Sequence, residues 1–306
     1  MKVGVIGSGA VGLYYGARLQ RAGVDVQFLL RSDFEAISDK GVRVRASDGN
    51  FHLERVRAVR SVAEMGEVDL AIVALKATSN ESLKLLLDPV VGAQTAILCL
   101  QNGLGADERL QALYPQSPIL GGLCFVCLNR VAPGVVENYH LGSIAIGERG
   151  GPASRRTKEI GQLFARAGVT CRVSDDLRGM QWRKLVWNIP FNGLSVAAGG
   201  VTTDVIVSDE GLCGLAKGLM QEIVSAARAI GLDLSDDIVE ENIELTRRMG
   251  EYAPSSLIDH RAGRPVEVDA IWGEPLRQGL QAGAEMPRLE ALFRLLRLGC
   301  ETGRGR

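Results

Sequence analysis

The sequence has 306 residues, of which 46% are hydrophobic and 23% are charged. This length suits two domains of roughly 150 residues each, or one large α/β domain, and the composition is ordinary for a globular protein. With 35 basic and 36 acidic residues the formal net charge is -1, so nothing indicates a nucleic acid or another polyanion as a partner. The longest apolar runs, residues 70–75 and 96–100, are far shorter than the ~20 residues that a membrane-spanning helix needs.

Residues 1–12 resemble a strand that runs into a turn more than they resemble a signal peptide, which favours a cytoplasmic protein. The six cysteines lack the spacing of a secreted disulfide framework, and the pair Cys124 and Cys127 has no second ligand pair to complete a zinc site. The three histidines are far apart in the sequence: His52, His140 and His260. We therefore expect buried thiols, no bound metal, and chemistry that uses other groups.

The first half of the chain alternates predicted strands with predicted helices. Residues 2–6 are a predicted buried strand, 7–12 a turn, 11–22 a helix that ends at Gly23, and 24–30 a second strand. Further strands are predicted at 68–75 and 96–100, β-rich segments at 119–128 and 135–146, a helix at 157–167, and a last strand at 169–173. This pattern is typical of a Rossmann-type α/β domain, with a parallel sheet extended by later strands.

The second half of the chain is predicted to be mostly α-helical. Helical periodicity occurs at residues 176–198, 209–230, 235–249, 268–282 and 288–298, with Gly231, Gly250 and Gly283 as stop signals. We place the domain boundary near Val173, so that residues 1–173 form the Rossmann-type α/β domain and residues 174–306 a helical domain. The end of the chain, residues 299–306, is rich in Gly and Arg and is expected to be frayed.

A glycine-rich turn follows the first predicted strand and opens the first predicted helix. Its residues are Gly7, Ser8, Gly9, Ala10, Val11 and Gly12. In this context the glycines let backbone N–H groups and the helix dipole approach a pyrophosphate, which predicts a dinucleotide cofactor. A tight turn without a ligand is the alternative.

The end of the second predicted strand indicates which form of the cofactor binds. An acidic residue there would bond the ribose 2′-hydroxyl of NAD, whereas this chain has Arg31, which suits a 2′-phosphate and favours NADP. Asp33 lies nearby in the sequence and keeps NAD as the alternative. Lys76 and Asn102 follow the next two predicted central strands, where such sheets bind ligands, and we predict that both face the cofactor. A solvated loop lysine and a simple turn are the competing interpretations.

Three polar residues recur at a spacing of four: Lys184, Asn188 and Asn192. If this stretch is helical, at about 100° per residue they fan over only about 80° of one face. A proton donor and two neutral amides would then point together, which suits a site that reduces a carbonyl group. A solvated helix face is the alternative.

Short motifs spread over nearly the whole chain match one known family. In chain order they are the glycine-rich turn, Leu75-Lys76-Ala77, Gln101-Asn102-Gly103, Pro133-Gly134-Val135-Val136, Trp182-Arg183-Lys184-Leu185 with Asn188 and Asn192, Pro254-Ser255-Ser256-Leu257, Ala262-Gly263-Arg264-Pro265 and Glu267-Val268-Asp269-Ala270. Through them the sequence resembles the ketopantoate reductase (2-dehydropantoate 2-reductase) family. The resemblance implies an NADPH-dependent reductase of a 2-oxo acid, in the family's case 2-dehydropantoate on the route to pantothenate and coenzyme A.

The resemblance also implies a role for each site residue. Lys184 would be the general acid, and Glu267 would contact the cofactor and the active site. Asn102 would touch both cofactor and substrate. The residues that would hold the substrate are Asn188, Asn192 and Ser255, the last at its carboxylate end.

The chain departs from the family at three places. Gly193 stands where proline often follows Asn192, and Thr202 stands where some members have another substrate-binding asparagine. After Ser255 the chain continues Ser256-Leu257-Ile258-Asp259, whereas many members have Met-Leu-Gln-Asp. Two alternatives to 2-dehydropantoate reduction therefore stay open: a reductase of another branched or bulky 2-oxo acid, and a non-catalytic protein that binds NADP. A homodimer is the expected assembly.

Overall fold

The computed structural model describes residues 1–139 and 142–302 and divides into two compact units. The first unit comprises residues 1–101 and 106–177, and the second comprises residues 102–105 together with the chain from Arg178 onward. We expected a boundary near Val173, and the division at the end of the first unit falls after Leu177. Nothing in the sequence indicates that residues 102–105 belong to the second unit.

The first unit contains the strands of the protein. They are β1 Lys2–Ile6, β2 Asp25–Leu29, β3 Val42–Ala46, β4 Phe51–Leu53, β5 Arg57–Val59, β6 Leu70–Val73, β7 Ala96–Cys99, β8 Ile119–Phe125, β9 Leu128–Ala132, β10 Val135–Asn138, β11 Ser143–Glu148 and β12 Thr170–Ser174. The larger sheet has the order β12-β11-β8-β7-β6-β1-β2-β5. Its neighbouring strands are parallel except for the antiparallel pair β8 and β11. This is the predicted parallel sheet with later strands added at one edge.

A smaller sheet with the order β4-β3-β10-β9 was not predicted. In β3 the side chains of Val42 and Val44 are buried, while those of Arg43 and Arg45 are exposed. The sheet therefore has one apolar face, which joins the same core cluster as the buried residues of β1 and β2. The segment 135–146, expected to be β-rich throughout, supplies one strand to each sheet.

The helices of the first unit are α1 Ala10–Arg21, α2 Phe34–Lys40, α3 Leu83–Leu87, α4 Ala106–Leu113 and α5 Arg155–Arg166. Helices α1 and α5 were predicted within one or two residues. In α1 the buried residues include Leu13, Tyr15 and Leu19, which pack into the core shared by the two sheets. This packing fixes where α1 begins, and hence where the glycine-rich turn lies.

The second unit is helical, as predicted. Its helices are α6 Leu177–Ala197, which starts at the last residue of the first unit, α7 Thr203–Ser208, α8 Glu210–Ala229, α9 Asp237–Met249, α10 Ser255–Arg261, α11 Glu274–Gln281 and α12 Pro287–Thr302. A π-helical turn, Asp269–Gly273, precedes α11 and divides the helix expected at 268–282. Helix α12 continues to Thr302, into the segment from residue 299 that was expected to be frayed, and residues 303–306 lie outside the described part. Trp182, Phe191 and Trp272 are fully buried at the centre of this unit.

No helix within residues 1–139 and 142–302 is long and apolar enough to cross a membrane. In the same described part, no group of three or more His, Cys, Asp or Glu residues is arranged to hold a metal ion, and His140 lies outside it. Cys99 and Cys213 are buried, but the other four cysteines are half-buried, so the expectation of buried thiols holds for two of the six. Burial raises the pKa of the Cys171 thiol to about 11, which keeps it protonated at neutral pH.

A buried carboxylate joins two helices of the second unit. Glu222 lies on α8, and its side chain is 7% exposed. Its Oε1 accepts a hydrogen bond from the backbone N of Arg288 at 3.0 Å, and its Oε2 accepts one from the backbone N of Leu289 at 2.9 Å. A negative charge is favourable beside a helix N-terminus, so Glu222 holds the start of α12 against α8.

We expect Glu222→Ala to lower the free energy of unfolding by about 2–3 kcal/mol, because two backbone N–H groups lose a charged acceptor. Denaturant titration followed by circular dichroism measures the change. Glu240→Ala is the matched control, since Glu240 is 62% exposed and bonds Lys217 Nζ at 2.7 Å on the surface. Its expected loss is below about 1 kcal/mol. Equal losses in the two variants would contradict the role given to Glu222.

Candidate active site

The turn between β1 and α1 brings backbone groups close together at its glycines. Gly7 has a φ of 103°, and a Cβ atom there would lie 2.5 Å from the backbone N of Leu75. At Gly12, on α1, a Cβ atom would collide with the carbonyl oxygen of Gly7. Both positions therefore require glycine, and the first turn of α1 packs directly against the end of β1.

Gly9 faces open space instead. Among the described residues no atom lies within 4 Å of the position that its Cβ would occupy. Gly9 is the N-cap of α1 without a side-chain capping bond, and Ala10, Val11 and Gly12 place no acidic group in the first turn. The N–H groups at this helix end therefore have no capping side chain and no acidic residue beside them. Such a helix end suits the binding of a pyrophosphate.

Ser8 has a structural role that the sequence did not indicate. Its Oγ donates a hydrogen bond to the carbonyl oxygen of Leu29 at 2.8 Å. Leu29 ends β2, and the exposed Arg31 follows two residues later. The bond therefore ties the glycine-rich turn to the strand end that was predicted to bind the ribose of the cofactor.

The remaining predicted cofactor residue of the first unit also follows a central strand. Lys76 comes three residues after β6, is half-buried, and precedes a 3₁₀ helix, Ala77–Ser82. This helix is joined to the end of β7, because Gln101 Nε2 donates a hydrogen bond to Asn80 Oδ1 at 2.8 Å. The order β2-β1-β6-β7 reverses at β1, and open sheets of this kind bind ligands beyond the strand ends at such a point.

Residues 102–105 pack on the π-helical turn of the second unit. Leu104 N donates a hydrogen bond to the carbonyl oxygen of Ala270 at 2.9 Å. Gly103 has a φ of 83°, and a Cβ atom there would collide with the same carbonyl group. Gly103 is therefore required for this close approach of two backbones, and the contact places Asn102 in the helical unit.

The structure brings Lys184 and Asn102 together. Lys184 Nζ donates a hydrogen bond to Asn102 Oδ1 at 3.0 Å, and both side chains are half-buried. Lys184 lies on α6, as predicted, and the two residues are separated by 82 positions in the sequence. The amide oxygen holds the ammonium group in place without adding another full charge.

Asn188 and Asn192 lie on the same helix as Lys184, and both are buried. Asn192 Oδ1 accepts a hydrogen bond from Ser256 N at 3.0 Å and a longer one from Ser255 Oγ at 3.4 Å. The side chain of Asn192 thus satisfies an N–H group in the first turn of α10 and fixes where Ser255 lies. We had predicted Asn192 as a substrate ligand alone, and the sequence carries no signal for this contact.

Glu267 lies two residues before the π-helical turn. Its side chain is half-buried, and its backbone oxygen accepts a hydrogen bond from Ile271 N at 3.1 Å. Ala270 of the same turn receives the loop that carries Asn102. The hydrogen bond from Leu104 N to the carbonyl oxygen of Ala270 therefore joins the segment that carries Asn102 to the segment that carries Glu267.

An irregularity in α6 connects this helix to the same turn. Pro190 lies inside α6, and Trp272 Nε1 donates a hydrogen bond to the carbonyl oxygen of Ile189 at 2.9 Å. A Cβ atom at Gly193 would lie 2.8 Å from Trp272 Nε1 and 2.7 Å from Leu292 Cδ2. Glycine at position 193 therefore makes room for the indole ring.

Comparison with known proteins finds relatives that match both units of the chain. The sequence model of the family described as ketopantoate reductase PanE/ApbA matches residues 3–151, and the model of its C-terminal domain matches residues 176–299. A 2-dehydropantoate 2-reductase from a Nostoc species is 39% identical over 301 residues, which cover 97% of this chain and 94% of the relative.

Solved structures show the same fold. The 2-dehydropantoate 2-reductase of Geobacter metallireducens superposes with a TM-score of 0.94 at 42% identity, covering 97% of this chain and 99% of that chain. The 2-dehydropantoate 2-reductase of Methylococcus capsulatus gives a TM-score of 0.92 at 33% identity, covering 100% and 98%. This chain therefore belongs to the ketopantoate reductase family, which confirms the resemblance and the predicted fold class.

We expect Gly193→Ala to destabilise the protein by about 1–3 kcal/mol, because the added methyl group has to displace the indole of Trp272 or the side chain of Leu292. Thermal unfolding followed by circular dichroism measures the effect. Gly214→Ala serves as the control, since Gly214 lies on α8 and a Cβ there meets nothing within 4 Å in the described part. A Gly193→Ala protein as stable as the Gly214→Ala protein would show that the site is not tightly packed.

Proposed function

We propose that this protein reduces 2-dehydropantoate to pantoate with NADPH, a step of pantothenate and coenzyme A biosynthesis. The relatives that match nearly the whole chain include 2-dehydropantoate 2-reductases at 39% and 42% identity. The observation that carries the proposal for the site is the hydrogen bond from Lys184 Nζ to Asn102 Oδ1 at 3.0 Å. This bond to a neutral amide holds the ammonium group in place, and the reduction of a ketone requires such a positioned proton donor.

The chemistry needs a hydride and a proton. NADPH, when bound, supplies the hydride to the ketone carbon. Negative charge then develops on the ketone oxygen, where the ammonium group of Lys184 stabilises it and donates the proton. An ammonium group has three N–H donors, and Asn102 fixes its direction by accepting one of them. Lys184 is the general acid of the proposal, and Glu267 is assigned to the same active site.

The cofactor residues of the proposal follow the strand ends and the glycine-rich turn. The backbone N–H groups of that turn, Gly7 to Gly12, bind the pyrophosphate, and the exposed Arg31 binds the 2′-phosphate. Lys76, Asn102 and Glu267 are the further residues assigned to NADPH. The open space at Gly9 supports this assignment, because a phosphate group needs close approach to the backbone there.

The substrate residues are Asn102, Lys184, Asn188, Asn192 and Ser255. The side-chain oxygen of Asn192, Oδ1, accepts a hydrogen bond from Ser256 N, so the side-chain NH₂ group is the one that donates to the 2-oxo acid. Ser255 begins α10 and is exposed, which places its hydroxyl and the adjacent helix end where a carboxylate is favourable. These groups orient an anionic substrate without competing charges.

We also propose that the protein acts in the cytoplasm as a homodimer. The six thiols suit a reducing compartment. Leu295 and Leu298 lie on α12 with 64% and 65% of their surface exposed, and such apolar side chains suit an interface between subunits. Light scattering coupled to gel filtration measures the assembly, and a monomer at micromolar concentration would exclude a stable dimer.

The first experiment follows NADPH absorbance with purified protein and 2-dehydropantoate, repeated with NADH and with a panel of other 2-oxo acids. We expect saturable oxidation with NADPH and 2-dehydropantoate, and weaker activity with branched or bulky analogues. Faster turnover of another 2-oxo acid would assign that acid as the substrate and leave the proposed reaction, reduction of a ketone by NADPH, unchanged. NADPH binding without turnover on any of them would favour the non-catalytic alternative.

We expect Lys184→Ala to reduce kcat by about 10²-fold or more, the usual scale of lost acid catalysis, and to leave NADPH affinity nearly unchanged. Stopped-flow turnover and fluorescence titration of NADPH measure the two quantities. Lys217→Ala is the matched control, because Lys217 is a lysine of the same unit that pairs with Glu240 on the surface. An unchanged kcat in Lys184→Ala would contradict the assignment of the general acid.

A further inference from the structure

A buried carboxylate lies beside the residue assigned to the 2′-phosphate. Phe34 N donates a hydrogen bond to the carbonyl oxygen of Arg31 at 3.4 Å, so the chain turns back directly after β2. Asp33 lies within this turn and is 5% exposed, whereas Arg31 is exposed. A negative charge two residues from Arg31 opposes the binding of a phosphate dianion.

Both carboxylate oxygens of Asp33 have a donor. Oδ1 accepts a hydrogen bond from Ser32 Oγ at 2.9 Å, and Oδ2 accepts one from Arg130 Nη1 at 2.9 Å. Arg130 lies on β9 of the smaller sheet, 97 residues away in the sequence. Its side chain is 41% exposed, while that of Asp33 is 7% exposed, so the pair is half shielded from solvent.

An acidic side chain just after the second strand is the group that would accept a hydrogen bond from the ribose 2′-hydroxyl of NADH. Asp33 is close to this position, but the ion pair with Arg130 holds its carboxylate in the buried turn. The pair has two effects at once: it neutralises a charge that would repel a 2′-phosphate, and it withholds an acceptor that would favour a 2′-hydroxyl.

We propose that Arg130 is a positioning residue that sets the preference for NADPH over NADH by neutralising and holding Asp33. The inference rests on the proposed function, since it concerns the nucleotide of that reaction. Arg130 acts through Asp33 and does not touch the phosphate. The smaller sheet, which brings Arg130 to the end of β2, thereby contributes to cofactor selection.

The test measures dissociation constants by isothermal titration calorimetry for NADPH, NADH, 2′,5′-ADP and 5′-AMP. We expect Arg130→Gln to weaken NADPH and 2′,5′-ADP by about tenfold, the ratio that 1.4 kcal/mol produces. NADH and 5′-AMP are expected to bind as tightly as before or more tightly. Arg31→Ala is the reference variant, and it is expected to weaken the two 2′-phosphate ligands more than the other two. Arg45→Gln is the control, because Arg45 forms an exposed ion pair with Glu137 in the smaller sheet.

The variant Asp33→Asn separates neutralisation from direct contact. Alone it is expected to keep the preference for NADPH, because it removes the opposing charge and leaves Arg31 in place. Combined with Arg130→Gln it is expected to return NADPH affinity to within about threefold of wild type, a difference of well under 1.4 kcal/mol. If Arg130→Gln does not fold, Asp33→Asn alone still tests the inference. A tenfold loss of NADPH affinity in Asp33→Asn would overturn the inference.

Two other results would also overturn the inference. Equal weakening of NADPH and NADH by Arg130→Gln would show a general structural role. A double variant that binds NADPH as weakly as Arg130→Gln would show that the arginine contacts the phosphate itself. Failure of the proposed function gives a different result, because the wild-type protein would then bind none of the four nucleotides or would bind them without turnover.

Discussion

The hydrogen bond between Lys184, the proposed proton donor, and Asn102 depends on a contact between two backbones that only glycine permits. The carbonyl group of Ala270 receives the N–H of Leu104 and leaves no room for a side chain at Gly103. Asn102 precedes this contact, and its amide oxygen therefore meets the ammonium group of Lys184. If the loop moved away by the width of a methyl group, Lys184 would stay on α6 and its hydrogen bond to Asn102 would be lost.

The π-helical turn Asp269–Gly273 connects the parts of this site. One of its residues, Ala270, receives the loop with Asn102, and another, Trp272, donates a hydrogen bond to Ile189 on the helix with Lys184. π-Helical turns are rare and are frequently found at functional sites. Here the extra residue in the turn lets a carbonyl oxygen and an indole N–H from nearby positions reach two different segments.

The sequence predicts the parts of the molecule that rest on local patterns. The glycine-rich turn and the stripe on α6 follow from spacing alone, because neighbours in the sequence are also neighbours in space there. The smaller sheet could not be predicted, since β3 pairs in parallel with β10 from Val135 onward, across about ninety residues. For the same reason the contacts of Asn102, Asn192 and Asp33 were missed, as each depends on a residue more than sixty positions away.

The departures from the family motifs bear on the choice of substrate. They suggested a changed pocket, but Ser256 is 3% exposed and Leu257 is fully buried. Gly193 is the position that accommodates the ring of Trp272. These changes therefore concern how α6 and α10 pack, and the residues proposed to hold the substrate, Asn188, Asn192 and Ser255, are retained. Thr202, which is half-buried and precedes α7, is the one departure of the three without such a packing explanation among the described residues. Neither Gly193 nor the serine motif therefore argues for a substrate other than 2-dehydropantoate.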